Sequence, residues 1–239
     1  MTTTFDPLAT EALNRLGALL LLLILLPLIV VVAVAIRLES HGPVFIRCQR
    51  VGRGGFEFGM LKFRKMRAGV TGLALTSPND DRFTRLGAVL AKYKLDEVPQ
   101  LWNVLRGEMS LVGPRPEDPD FVKLQKEAYA EICKVKPGIT GLSQLTFARE
   151  SEILDPQNRV ADYIERVLPQ KVGLDRLYAE RRSVGMDLRI LARTIFAIVF
   201  RREIAVHRDS GRLTVRRRPA PAAAVETATA VETTDAVRG

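Results

Sequence analysis

An uncharged run, "LGALLLLLILLPLIVVVAVAI", extends from Leu16 to Ile36 between Arg15 and Arg37 and constrains this chain more than any other feature. As a helix it would extend about 32 Å, enough to cross the hydrocarbon core of a bilayer. Pro27 stands near its middle. There it removes an amide donor and clashes with the carbonyl four residues back, so a kink is expected. Two geometries are open: a tilted, kinked span, or a helix that breaks at Pro27, enters one leaflet and returns. Arginine at both ends gives no one-sided charge bias to choose between them. A cleaved leader competes with both, with "AVA" at 33–35 as its cleavage site. Against it, the run is longer than an ordinary leader core, and a basic, cysteine-poor stretch follows.

Composition limits the rest. A chain of 239 residues with 47% hydrophobic and 26% charged residues fits one soluble domain with a local membrane segment, not a polytopic protein. Lys and Arg outnumber Asp and Glu by 36 to 27. That excess can attract nucleic acid, anionic headgroups or phosphorylated small molecules, and charge alone does not choose among them. The stretch "RCQRVGRGGFEFGMLKFRKMR" has the basic character of polypeptide lying on a cytoplasmic leaflet. Cys48 and Cys133 lack ligand or disulfide spacing. With only His41 and His207 available, a histidine-rich metal centre is excluded.

Along the chain, residues 43–67 read as a β-hairpin turning at "VGRGG". Residues 71–81 read as a loop, and "RFTRLGAVLAKYK" as a helix with Phe83, Leu86, Val89 and Leu90 on one side. Val98, Leu101, Trp102 and Leu105 mark an amphipathic helix that begins at Asp96 and Glu97 and is capped by Gly107. "MSLV" is a short strand and residues 120–134 a helix. "VKPGITG" is a turn, with Pro137 and Gly138 at the centre of a type II geometry. "DLRILARTIFAIVFRR" is either a core helix or one lying in the membrane interface. The end of the chain has the composition of a disordered tail.

The chemistry sits near "KLDEVPQLWNVLRGEMSLVGPRP". Acids in a first helical turn can simply oppose the macrodipole. Two adjacent carboxylates repel, however, unless a cation relieves them. Mg²⁺, which takes one or two carboxylates plus substrate phosphates, would do so at Asp96 and Glu97. Arg115, between two prolines, presents its fork from a stiff stem suited to phosphate oxygens. Lys62, Arg64 and Lys136 could add charge to the same phosphate pocket. The glycine-rich turn lacks the ending of a Walker A loop and reads as a hairpin turn. Residues alone therefore point to phosphoryl transfer at a membrane surface.

At "LDEVPQLWNVLRGEMSLVGPRP" the chain resembles the bacterial sugar transferases, the monotopic polyprenyl-phosphate phosphoglycosyl transferases, in their short form. "GPVFIRCQRVGRGGFEFGMLKFRKM", "DRFTRLGAVL" and "VKPGITGLSQL" extend the likeness in order. The resemblance implies a transfer of sugar-1-phosphate from a UDP-sugar to undecaprenyl phosphate with release of UMP. It implies Asp96 as nucleophile, Glu97 as Mg²⁺ holder or aid to the acceptor, and Arg115 with Lys62 and Arg64 on phosphate. It also implies a re-entrant helix broken at Pro27, with both ends on the cytoplasmic side of the inner membrane. Three positions depart from the pattern: Leu26 before the proline, Lys65 in place of a small hydroxyl residue, and Lys94 in place of serine.

The expected fold is a helix-rich, mixed α/β domain carrying a β-hairpin and amphipathic interfacial helices. Its expected division is 1–14, a membrane helix at 15–37, a catalytic domain at 38–205 and a tail at 206–239. Partners are the nucleotide-sugar donor, the lipid phosphate and the membrane, and a homodimer is left open. The alternative is a non-catalytic, membrane-tethered basic binding or scaffold protein. Few aromatics and no recognisable motif argue against nucleic acid.

Overall fold

The computed structural model describes residues 7–70, 75–77, 80–200 and 202–215. In chain order the elements are α1 (Pro7–Glu39), β1 (Phe45–Val51), β2 (Glu57–Phe63), α2 (Arg85–Lys92), α3 (Gln100–Leu105), β3 (Ser110–Val112), α4 (Pro119–Leu124) and α5 (Lys126–Ile132). Then follow β4 (Gly138–Thr140), α6 (Leu142–Thr146), α7 (Glu150–Ile153), α8 (Arg159–Asp162), α9 (Leu168–Arg181), α10 (Val184–Phe200), β5 (Ile204–Val206) and β6 (Leu213–Val215). A π-helical turn, Tyr163–Val167, joins α8 to α9. The molecule is mixed α/β and helix-rich, with three separate two-stranded sheets among the described residues.

α1 is longer than expected and stays helical through Pro27. Ala18, Leu22, Leu25, Ile29, Val32 and Ile36, three or four residues apart, form a stripe against the domain. They meet Met60, Leu101, Val104 and Met109 at one end, and Phe63 and Leu90 at the other. A fully buried aliphatic side chain contributes about 1.5–3 kcal/mol, so this seam holds α1 down more strongly than helix propensity does. Leu16, Leu20, Leu23, Ile24 and Val31 point away and are each 59–64% exposed. By length and composition this is the one described helix able to cross a membrane.

Both ends of α1 are tied to the same domain. Near its start, Glu11 pairs with Lys136 at 2.6 Å, and Asn14 Oδ1 accepts the Leu111 N–H at 2.7 Å. Past its end, the buried Arg64 donates to the Ser40 carbonyl at 2.8 Å, Ser40 Oγ at 2.9 Å and the His41 carbonyl at 2.5 Å. Glu39 accepts the Leu86 N–H at 2.9 Å.

β1 and β2 form the expected hairpin, running from Phe45↔Phe63 to Val51↔Glu57. Gly54 and Gly55, at φ 73° and 79°, make its left-handed turn. β3 and β4 pair in parallel, Ser110↔Gly138 and Val112↔Thr140. This corrects the type II turn expected at Pro137–Gly138. Gly138 is required there by close backbone approach, since a Cβ would lie 2.0 Å from the Gly113 nitrogen. Three further expectations shift. The helix at 120–134 is split at Gln125, whose φ is −134°. On α3 the buried face carries Leu101 and Val104 together with Gln100 and Asn103, leaving Trp102 half exposed. The chain remains ordered past 205 through β5 and β6, because alternating apolar residues pair across a turn closed by Gly211 at φ 66°. The rest of the expected tail, and much of the loop at 71–81, lie outside the described residues.

Candidate active site

Asp96 and Glu97 sit on a single 3-10 turn, Leu95–Glu97, between α2 and α3. Lys94 starts that turn in the left-handed region at φ 57°, the only described non-glycine residue with positive φ. α3 is fixed against the hairpin by the buried Asn103. Its Oδ1 accepts the Leu61 N–H at 2.9 Å, and its Nδ2 donates to the Gly59 carbonyl at 3.0 Å. The strand that carries Lys62 is thereby aligned with the turn that carries the acids.

On the opposite side, the Gly113–Pro116 loop leaves β3 under tight backbone control. The Gly113 N–H reaches the Thr140 carbonyl at 2.9 Å, and the Gly138 N–H reaches that of Pro114 at 2.8 Å. Glu117 then anchors the loop from below. Its Oε2 accepts from Lys171 Nζ at 3.1 Å and from the Tyr163 hydroxyl at 2.5 Å. Burial alone would raise the Glu117 pKa, but Lys171 and Tyr163 hold it below the usual range.

The loop, hairpin and turn converge on the acid pair. Glu97 Oε1 is 3.2 Å from both Lys62 Nζ and Arg115 Nη2. Its burial opposes ionisation, yet Lys62, Arg115 and Lys94 outweigh that and keep it well below the carboxylate range. The same pairing raises Arg115 further above its ordinary value, against its own desolvation. Asp96 is 2% exposed. Its Oδ2 lies 3.2 Å from Lys65 Nζ, and its buried Oδ1 has no hydrogen-bond partner. Lys62, Lys65 and Arg115 thus contact the two carboxylates directly, and Lys94, whose pKa burial lowers against the pull of Glu97 and Asp96, stands close by.

Of the sequence-predicted residues, Asp96, Glu97, Lys62 and Arg115 come together. Arg64 and Lys136 do not: Arg64 caps the end of α1 and Lys136 is paired with Glu11. Arg64 lies two residues from Lys62, but its guanidinium is taken up by the unsatisfied carbonyls at a helix terminus. Lys65, Asn103, Glu117, Tyr163 and Lys171 were not predicted as site residues. The contacts that tie them to the site, Lys65 to Asp96, Asn103 to Leu61, and Tyr163 and Lys171 to Glu117, join residues between about 30 and 55 positions apart, so local spacing does not expose them.

Among the described residues no three His, Cys, Asp or Glu side chains gather as a metal cage. What the turn offers is an orphaned Asp96 oxygen beside Glu97. That fits a hard divalent ion completed by substrate phosphates, and not one held by protein alone.

The family model described as bacterial sugar transferase matches residues 5–201. A Caulobacter vibrioides UDP-glucose:undecaprenyl-phosphate glucose-1-phosphate transferase is 37% identical over 79% of this chain and 68% of its own length. An undecaprenyl-phosphate glucose phosphotransferase of Komagataeibacter xylinus is 37% identical over 83% of this chain. An Aeromonas hydrophila UDP-N-acetylgalactosamine-undecaprenyl-phosphate N-acetylgalactosaminephosphotransferase is 36% identical over 70% of it. The chain spans only 37% and 38% of the length of these last two proteins. By its sequence match across nearly the whole domain, the chain belongs to the bacterial sugar transferase family.

Proposed function

We propose that this protein transfers sugar-1-phosphate from a UDP-sugar to undecaprenyl phosphate, through a covalent intermediate on Asp96, at the cytoplasmic face of the inner membrane. The observation that carries this reading is the bare, buried Oδ1 of Asp96 inside a ring of cations. A carboxylate needs such a setting to act as a nucleophile: one oxygen free, and positive charge ready for the phosphate it meets.

A lone pair of Asp96 Oδ1 attacks the β-phosphorus of the donor. The bond from that phosphorus to the bridging oxygen breaks, and its electron pair leaves with UMP. An oxygen of undecaprenyl phosphate then attacks the phosphorus now carried by Asp96. The acyl-phosphate bond breaks, its electrons return to the carboxylate, and the product is the diphosphate-linked sugar. Arg115 and Lys62, held between substrate and Glu97, take phosphoryl oxygens as the charge moves. Glu97 would hold Mg²⁺ together with the substrate phosphates, Asp96 Oδ1 being the attacking atom, and the ion would draw charge from the diphosphate and the departing UMP.

α1 does not break at Pro27 as a re-entrant hairpin would; its placement instead supports attachment from one side, with the helix lying along the domain. Its two ends are pinned to one charged domain through Lys136 and Arg64, so both belong on the side where that domain lies. Its outer leucines are available to lipid. α10 adds a second apolar surface at Leu188, Ile195, Ile198, Val199 and Phe200, with only Ile190 fully buried.

The test is a panel of UDP-sugars incubated with the purified full chain, Mg²⁺ and undecaprenyl phosphate. One or more donors should release UMP, and Asp96→Asn should reduce release by at least about 10⁴-fold. Binding of anionic lipid that is indifferent to Asp96→Asn, with no UMP from any donor, would support the non-catalytic reading instead.

A further inference from the structure

We infer that Lys65 is a further catalytic residue, orienting the Asp96 carboxylate for attack and then following its charge onto the transferred phosphate. The inference rests on the assignment of Asp96 as nucleophile. Lys65 Nζ lies 3.2 Å from Asp96 Oδ2, the oxygen opposite the unpartnered Oδ1. A carboxylate with one oxygen fixed and one bare has a single productive direction. Without Lys65, Asp96 Oδ2 would lose its ion-pair partner, and a nearly inaccessible charge would be left to the more distant Lys94.

Lys65 is built into place. Its carbonyl accepts the Thr84 N–H at 3.1 Å. The chain on either side is held by an Arg67 N–H to Arg82 carbonyl bond at 2.9 Å and by the Met66–Phe83 bridge. Gly87 packs so closely on this segment that a Cβ there would stand 1.8 Å from the Lys65 carbonyl oxygen. The ammonium also sits 5.5 Å from the centroid of the Phe83 ring, a second contact favouring a cation at this spot. The side chain is 21% exposed, against 2% for its partner. Lys65 thus stands nearer the surface than Asp96, on the side from which a substrate phosphate would approach the pair.

The charge balance through the step gives Lys65 its second role. Before attack it faces a carboxylate anion. Afterwards Asp96 is an acyl phosphate whose negative charge lies on the phosphoryl oxygens, bonded through Oδ1. The ammonium keeps an anionic partner by moving its attention a few ångströms, and no proton is gained or lost. Lys62 and Arg115 meet Glu97 and not Asp96, so neither takes the place of Lys65 beside the attacking carboxylate.

Single-turnover measurements on the full chain in detergent, with acceptor withheld and a panel of UDP-sugars headed by UDP-glucose, separate the outcomes. In the wild type a UMP burst should accompany a sugar-phosphate adduct on Asp96. Lys65→Met should slow that burst by about 10²-fold. The donor concentration for half-maximal rate should move by less than about threefold, because Lys65 acts on the step and not on ground-state binding. Lys65→Arg, which keeps the charge, should recover most of the rate, and thermal melting identifies any variant that has failed to fold. A Lys65→Met burst within about twofold of wild type, in folded protein, overturns the inference alone. Equal losses in Lys65→Arg and Lys65→Met, with both folded, overturn it as well. Absence of any adduct in the wild type, whatever the donor, overturns the assignment of Asp96 and this inference with it.

Discussion

Asp175 on α9 is a buried carboxyl that the reaction does not use, and it reports on the support beneath the Arg115 loop. Ser143 Oγ donates to it at 2.7 Å. Burial pushes its pKa up to about 7, reinforced by Glu117 and opposed by Ser143 and Lys171. An acid whose folded value is raised stabilises the fold below its unfolded value, near 3.8, and loses that contribution as pH rises through about 7. Glu97 and Glu117 have the opposite sign, and theirs is lost only as pH falls below the ordinary glutamate value of 4.5. Melting temperature measured from pH 4 to 8 should therefore fall towards neutrality in the wild type. Asp175→Asn should flatten that slope and melt higher at pH 8. A slope unchanged by the substitution would assign the dependence elsewhere. At this scale the sequence was half legible. Asp96 and Glu97 stood out as adjacent acids and Arg115 by its flanking prolines, whereas Lys62 was not distinguishable from Arg64 and Lys136, which lie elsewhere. Lys65, Asn103 and Lys171 are tied to the site by Asp96, Leu61 and Glu117 from distant segments, which a single sequence does not display.

Among the elements, the hairpin and the cap of α3 were readable because their signals are local. Alternating side chains and a glycine turn define β1 and β2, and Gly107 ends α3 at φ 82°. β4 was misread for the complementary reason. Pro-Gly carries strong turn chemistry, but here the glycine serves a backbone contact with a strand 28 residues earlier in the register. Gly138→Ala tests this. Its Cβ would stand 2.0 Å from the Gly113 nitrogen and 2.5 Å from the Val112 carbonyl carbon. Neither atom belongs to a flexible side chain, so the cost should reach or exceed the ~1–3 kcal/mol of ordinary overpacking. The expected result is a lower melting temperature together with loss of transfer, since the same strand pair aims Arg115. A variant as stable and active as wild type would refute the role given to this strand pair.

At the scale of the molecule, one apolar run and a net charge of +9 implied a domain attached to a membrane. The sequence left open whether this run spans the membrane or returns, and the one-sided attachment we propose rests on what the ends of α1 touch. Both touch the same domain, through Glu11 with Lys136 and through Ser40 and His41 with Arg64. Single cysteines placed at Thr10 and Leu38, in a chain with Cys48 and Cys133 replaced by serine, should both resist an impermeant maleimide in intact spheroplasts. Both should react after lysis. Labelling of position 10 from outside would require a spanning helix. The proposed nucleophile, Asp96 with its unpartnered Oδ1 among cations, is addressed most directly by intact-protein mass spectrometry. Incubated with its UDP-sugar and Mg²⁺ but no acceptor, the wild type should gain the mass of one sugar-phosphate, mapped to Asp96 and discharged when undecaprenyl phosphate is added. Steady UMP release with no adduct at Asp96, or an adduct that undecaprenyl phosphate does not remove, would contradict the account.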